Sequence, residues 1–316
     1  MEFEYTPWID GAGGVRMGLQ PLAEQDWLQQ PADMAIRLAE RRHLVATRRD
    51  AVWGRTPGRD VDAALAATAK LLAASARPLA ARRPTSNHGA DDAAPARTLA
   101  ATDAGGKAGV TSAGDDHDFL AAGLQVCEDL CVLLPTGDGE RDDHVLRAAL
   151  LCAPSFWRLH DKLGQPLPSV HAPVEGLEAK IGARIRAFLH NLPEGRLFTR
   201  GNWHLHTTGE RFHPAPDDWA QAQALHADEI ADRLWVRCER QTLRRVPGSR
   251  ALLFTILVYI QPLAALATRP ALAHALWDAY IAMPEDERIS RHFNELSVPL
   301  RAWLDGLPPG GNRAHA

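Results

Sequence analysis

The densest run of chemically capable side chains is Arg237-Cys238-Glu239-Arg240-Gln241-Thr242-Leu243-Arg244-Arg245. Val236 and Cys238 alternate with Arg237, Glu239 and Gln241, the period of a strand. On a strand these last three share one face, while Arg240 and Thr242 point to the other. A glutamate among arginines is either an internal ion pair or a charge held for a ligand, and spacing leaves both readings open. The planar guanidinium fork suits a ligand carboxylate, to which it donates two parallel hydrogen bonds. A second cluster is Arg200-Gly201-Asn202-Trp203-His204-Leu205-His206. A strand here places His204 and His206 on one side, as a metal pair or as a plain polar face. Glu210 lies beyond a turn, so no third ligand is close in sequence. The third cluster, His171-Ala172-Pro173-Val174-Glu175-Gly176, precedes a helix. There His171 is a candidate axial metal ligand or catalytic base, or else a turn residue bonded to backbone. His144, His160, His190 and His213 read as surface or loop positions.

The elements that must carry these residues follow from periodicity. Residues 234–246 and 251–259 read as strands around the turn Pro247-Gly248-Ser249, which predicts an antiparallel hairpin. Residues 197–206 form another strand. Residues 124–134 are apolar enough for a strand or a buried helix, and Pro135 to Gly139 then turn the chain. Residues 146–151 are a short apolar run, and 169–173 are expected to be extended before Pro173. Leu177, Ile181, Ile185 and Leu189 recur at four-residue spacing and predict a helix, ended by Pro193-Glu194-Gly195. Helices are also predicted at 33–45, 61–76, 271–281 and 285–304.

Strands in the middle with helices at both ends predict an α+β fold with an antiparallel sheet. Residues 80–117 contain only Leu99 and Val110 as larger aliphatics. Such a segment buries too little apolar surface to offset its ordering entropy, and a disordered tether is expected. The expected organisation is an N-terminal helical segment over 1–79 packed on the core, that insertion, and a core over 118–310.

Composition excludes several classes. Among 316 residues, 35 basic side chains face 39 acidic ones, a net charge of −4. No basic surplus points to nucleic acid. The four cysteines, Cys127, Cys131, Cys152 and Cys238, lack the paired spacing of a zinc site. Cys127 and Cys131, four apart, would share a face if that segment were helical, as small buried hydrophobes. Nothing argues for an oxidising compartment. Met1 to Asp10 show no secretory leader pattern. The most apolar run, 251–267, contains Gln261 and Pro262 and falls short of the roughly 20 residues of a membrane span. A cytoplasmic protein is expected, without membrane or nucleic-acid partners. The chain has no Gly-x-Gly-x-x-Gly after a strand, no phosphate loop, no Gly-x-Ser-x-Gly elbow and no Cys-x-x-Cys-His. A nicotinamide cofactor is therefore not expected on this chain.

An ordered set of motifs carries a family resemblance. It runs Met17-Gly18-Leu19-Gln20-Pro21-Leu22, Leu151-Cys152-Ala153-Pro154-Ser155-Phe156-Trp157, Val170-His171-Ala172-Pro173-Val174 and Arg200-Gly201-Asn202-Trp203. Arg237 to Pro247 then lead into Leu253-Phe254-Thr255-Ile256. Over about residues 15–283 the chain resembles the haem-dependent oxidative N-demethylase family, alpha-subunit-like. The resemblance implies a PAS-like sheet holding haem b. It implies oxidative demethylation of a small secondary amine with O2, releasing formaldehyde. Electrons would come from NADPH through FMN and a 2Fe-2S cluster on a separate reductase subunit. By the same resemblance His171 is the candidate iron ligand. Arg237, Glu239, Arg240, Arg244 and Arg245 are candidates for propionates, substrate or scaffold, Asn202 and Trp203 for the pocket, and Tyr259 for cofactor binding.

Four departures stand out. Leu257-Val258-Tyr259 replaces the family's Arg-Thr-Tyr, Glu175 replaces a proline, Arg288-Ile289-Ser290 replaces Tyr-Lys-Gly, and the 80–117 insertion is unlike a compact catalytic subunit. They keep two alternatives open: a non-catalytic haem or small-ligand sensor of the same fold, and a haem-free structural subunit.

Overall fold

The computed structural model describes residues 5–9, 17–81, 113–139, 141–170, 181–216, 219, 225–291 and 293–308. Seven strands are named in chain order: β1 (Gln20–Leu22), β2 (Trp53–Arg55), β3 (Asp129–Pro135), β4 (His144–Leu150), β5 (Leu197–His206), β6 (Trp235–Arg245) and β7 (Leu252–Pro262). They form one sheet in the order β1-β5-β6-β7-β3-β4-β2, with antiparallel neighbours throughout. The longer helices are α1 (Met34–Thr47), α2 (Arg59–Ala81), α3 (Ala113–Gly123), α4 (Ala183–Asn191), α5 (Pro270–Ile281), α6 (Glu285–Ser290) and α7 (Phe293–Asp305). The fold is α+β, an antiparallel sheet flanked by N- and C-terminal helices, consistent with the PAS-like expectation.

The β6–β7 hairpin pairs along its whole length, from Trp235 opposite Pro262 to Arg245 opposite Leu252. Its turn is closed by Val246 N–H donating to Ala251 O (2.9 Å) and Ser249 N–H to Val246 O (3.1 Å). Gly248 supplies the positive φ of 65° that this turn requires. Strand alternation then divides the side chains between two layers. Leu253, Leu257 and Tyr259 of β7 face the helices, with Val236 and Cys238 of β6. They join two clusters that include Leu38 of α1, Leu65 and Leu72 of α2, Leu276 of α5 and Leu296 of α7. On the opposite face Cys131, Leu133, Leu243 and Leu252 pack with Leu189, Ile185 and Phe188 of α4. The helix layer therefore leaves the odd residues of β6 and the even residues of β5 to the second face, with α4 over one end.

Several local expectations change. Leu124 closes the α3 end, its N–H donating to Leu120 O, and the strand begins only at Asp129. Cys127 thus precedes β3 and Cys131 lies within it, so they share no helix face; all four cysteines are buried. Residues 169–170 end a helical turn, Leu167–Val170, where Ser169 and Val170 N–H both donate to Pro166 O. Pro168 tolerates a first turn because it has no N–H to satisfy there. Of the helix predicted over 177–189, the described part is α4 from Ala183, and residues 177–180 lie outside the described residues. The single C-terminal helix is two, because Arg291 N–H closes α6 on Glu287 O. Ala-rich α2 and α3 reach into both ends of the 80–117 segment, whose residues 82–112 lie outside the described residues. His144 is no surface residue: it starts β4 and is 2% exposed. Among the described residues, no helix is long and apolar enough to cross a membrane.

Candidate functional site

The β5–β6 register sets Asn202 opposite Glu239 and His204 opposite Arg237, and β7 adds Val258 beside Glu239 and Ile260 beside Arg237. Directly opposite residues share a face, so these side chains form one polar patch with an aliphatic border. Glu239 Oε2 accepts hydrogen bonds from Gln241 Nε2 (2.8 Å) and Asn202 Nδ2 (3.4 Å). Glu239 Oε1 lies 4.0 Å from Arg237 Nε, an ion pair beyond hydrogen-bond length. Arg200, Asn202, His204, Gln241, Ile256 and Ile260 stay partly exposed on this face.

Arg237 itself is fully buried. It donates through Nη2 to Ala153 O (2.5 Å) and Pro154 O (3.2 Å), and through Nη1 to Arg211 O (3.2 Å) and Glu210 O (3.5 Å). Its charge therefore ties two loops to the sheet beside Glu239. At the same end Ser155 Oγ and His206 Nε2 are 3.0 Å apart, and the Phe156 ring stacks on His206 at 4.3 Å. Phe156 has φ 63°, a left-handed conformation that costs a non-glycine residue about 1–3 kcal/mol. Burial, with Arg291 and Arg237 nearby, pushes His204 well below the usual histidine value of 6.5. Burial, Arg237 and the neighbouring histidines push His206 down as well. Both rings are neutral on this face. Among the described residues, no group of three His, Cys, Asp or Glu side chains is placed to hold a metal ion.

The structure brings together Glu239, Arg237 and Asn202 and separates the other sequence candidates. Arg240 crosses to the helix side, where it donates to Trp27 O (2.9 Å) and Asp26 O (2.6 Å). Arg244, on that side too, pairs with Glu24 (2.6 Å) and stacks on Trp27 at 4.3 Å. Trp203 lies in the helix-side core, against Phe293 at 5.2 Å and Trp8 at 6.1 Å. Tyr259 is there as well, beside Tyr5 at 5.7 Å and under Arg37 at 5.4 Å. Arg245 shares the Glu239 face but sits six residues along β6, roughly 20 Å away at strand rise. There it caps α4 through Leu189 O (2.9 Å), His190 O (3.0 Å) and Leu192 O (2.6 Å). A cavity of about 210 Å³ at that end is lined by His144, His190, Arg245 and Arg250, remote from Glu239. His171 lies outside the described residues.

Sequence reasoning missed Arg291. Its Nη1 and Nη2 both reach Asn202 Oδ1 at 3.3 Å, and Nη2 pairs with Glu287 at 2.7 Å. Glu287 and Arg291 at i, i+4 resemble an ordinary surface helix pair in sequence, so their only signal was spacing shared with many solvated pairs. With this geometry in place, one comparison bears on function. A family model described as haem-dependent oxidative N-demethylase, alpha subunit-like, matches residues 18–295.

Proposed function

From the premise that this chain belongs to the haem-dependent oxidative N-demethylase, alpha-subunit-like family, we propose that it binds haem b and oxidatively demethylates a small secondary amine. The observation that supports this most is the Glu239 carboxylate, which is 8% exposed and is oriented by Gln241 and Asn202, both partly exposed. A secondary amine is cationic near neutral pH, and a carboxylate with unfilled lone pairs is the group that binds it.

The side chains of this face suit haem in chemistry. Ile256 and Ile260 give a partly exposed aliphatic surface for a flat macrocycle, and Arg200 is a partly exposed cation for an anionic edge. Val170 and Ile185, on either side of the segment containing His171, both pack with the cluster that includes Phe198 and Phe254. Our reading makes His171 the residue that would hold the haem iron. When bound, haem supplies the iron that activates O2 for oxidation of the N-methyl group.

The chain's own residues then have distinct tasks. Glu239 binds and orients the ammonium. Asn202 and Gln241 hold the carboxylate rotamer. Arg237 fixes the loops at 153–154 and 210–211 that border the face and tempers the Glu239 charge without touching substrate. In this reading Arg240, Arg244, Arg245, Trp203 and Tyr259 support cofactor binding through the scaffold. The alpha-subunit-like description implies a partner subunit, and we assign to it NADPH, FMN and the 2Fe-2S cluster. Four unpaired cysteines suit a reducing compartment, and the cytoplasm is the proposed location. We propose the 80–117 segment as a tether between the 1–79 segment and the 118–310 core, with the ends of α2 and α3 entering it.

The sensor alternative draws on the Leu257 departure. Leu257 is fully buried in the helix-side core, so an arginine lost there removes nothing from the Glu239 face. The test is reconstitution with haem, a visible spectrum, and formaldehyde release from dimethylamine with O2 and an electron donor. A stoichiometric Soret band with amine-dependent formaldehyde is expected. A folded protein with no Soret band refutes the proposal, and a Soret band without formaldehyde moves it to the sensor alternative.

A further inference from the structure

Asn202 is the hinge of the polar patch, and its amide orientation follows from its neighbours. Arginine carries donors only, so the Asn202 atom 3.3 Å from both Arg291 nitrogens is the oxygen. A carboxylate is an acceptor, so the atom 3.4 Å from Glu239 Oε2 is the amide nitrogen. The two ends agree. The same Nδ2 lies 3.1 Å from His204 Nε2. Its two protons are therefore divided between Glu239 and His204, and Nε2 of the imidazole must accept. A neutral ring that accepts at Nε2 carries its proton on Nδ1. Arg291 is held in place for this task, donating to Trp203 O (2.5 Å) and pairing with Glu287, which is 8% exposed.

We infer that Arg291 is a positioning residue: by fixing the Asn202 amide it orients the Glu239 carboxylate and locks His204 as the Nδ1–H tautomer. The inference deepens the proposed function and rests on it for the meaning of the site, though not for the geometry. It makes the junction between α6 and α7 part of the site, 89 residues from Asn202 in sequence. The ring then carries one proton donor, Nδ1–H. A cationic ligand meets a neutral histidine there and is not repelled by it.

The test is nitrogen-15 NMR of histidine-labelled protein in a diamagnetic form, either haem-free or ferrous with carbon monoxide. The His204 signals are assigned by their loss in His204→Gln. In the wild type, Nε2 is expected in the unprotonated range and Nδ1 in the protonated range. Arg291→Met, which has no donor, is expected to mix the tautomers, and Arg291→Lys, which keeps a donor for Asn202 Oδ1, to restore them. Asn202→Asp gives a second route if Arg291→Met does not fold: an aspartate cannot donate to Nε2, so the proton is expected to move there. A wild-type proton on Nε2, or an Arg291→Met spectrum identical to wild type, overturns the inference. The readout is independent of turnover. Absent formaldehyde release with the expected tautomer refutes the functional reading alone.

Discussion

Asp129 and Arg237 hold consecutive peptide units of one buried segment. Asp129 accepts the Cys152 and Ala153 N–H groups at 2.7 and 2.8 Å, while Arg237 donates to the Ala153 and Pro154 carbonyls. Asp129 in turn takes the Arg41 guanidinium at 2.8 Å, with both side chains buried. One chain of charge-assisted bonds thus runs from α1 through the Cys152-Ala153-Pro154 segment to the strand that carries Glu239. It gives that sequence motif a physical role: its backbone is the bridge.

Removing one member of a buried ion pair leaves the other charge uncompensated, at about 3–5 kcal/mol. Asp129→Ala is therefore expected to lower the unfolding free energy by about that amount. It also frees two buried N–H groups, so the loss should fall at the upper end. Urea denaturation of the variant beside wild type measures this, and a change under about 1 kcal/mol contradicts the bridge.

Glu239→Gln is nearly isosteric and keeps a hydrogen-bonding oxygen for Gln241 or Asn202. Loss of the charge that meets an ammonium costs about 2 kcal/mol or more, roughly a thirtyfold rise in KM for the amine. Haem content and melting temperature should hold. Steady-state formaldehyde kinetics decide it: wild-type KM in the variant removes Glu239 from amine binding.

Much of the frame was legible in sequence because long strands announce themselves. β5 spans residues 197–206 as its alternation indicates, and β6 and β7 follow theirs within a few residues. That Arg237, Glu239 and Gln241 share a face followed from strand period alone. Which layer covers that face did not. Arg240 and Arg244 look like ligand arginines in sequence, yet Asp26 and Trp27 receive them, over 200 residues away. Three-residue β1 and β2 leave no periodic signal, and Arg291 reaches Asn202 only through tertiary packing.

The cysteines carry a second expectation. Burial pushes Cys127 and Cys152 up to about 12, and Cys131 and Cys238 upward too. Thiolate is the reactive form, so all four should resist a disulfide reagent in the native protein near pH 8. Unfolding should release four titratable thiols per chain. A fast native thiol at that pH contradicts the burial.

His144 predicts a pH dependence of stability. Burial first, then the nearby Arg245, His190 and Arg250, push it down to about 4, from an unfolded value of 6.5. Above pH 6.5 the ring is neutral in both states and adds no slope. Between 6.5 and about 4 the unfolded chain binds a proton that the native protein does not, so stability falls as pH falls. Each tenfold loss of proton affinity on folding is worth about 1.4 kcal/mol, so the full effect is about 3 kcal/mol. His204 and His206, also held neutral, contribute in the same direction. His144→Gln should therefore flatten the dependence across that window without abolishing it, because the glutamine has no proton to gain. Chemical denaturation at a series of pH values reads the slope directly. Parallel curves for variant and wild type would show that His144 titrates as it does in the unfolded chain, and would take the charge cluster around it out of the stability of the β4 end of the sheet.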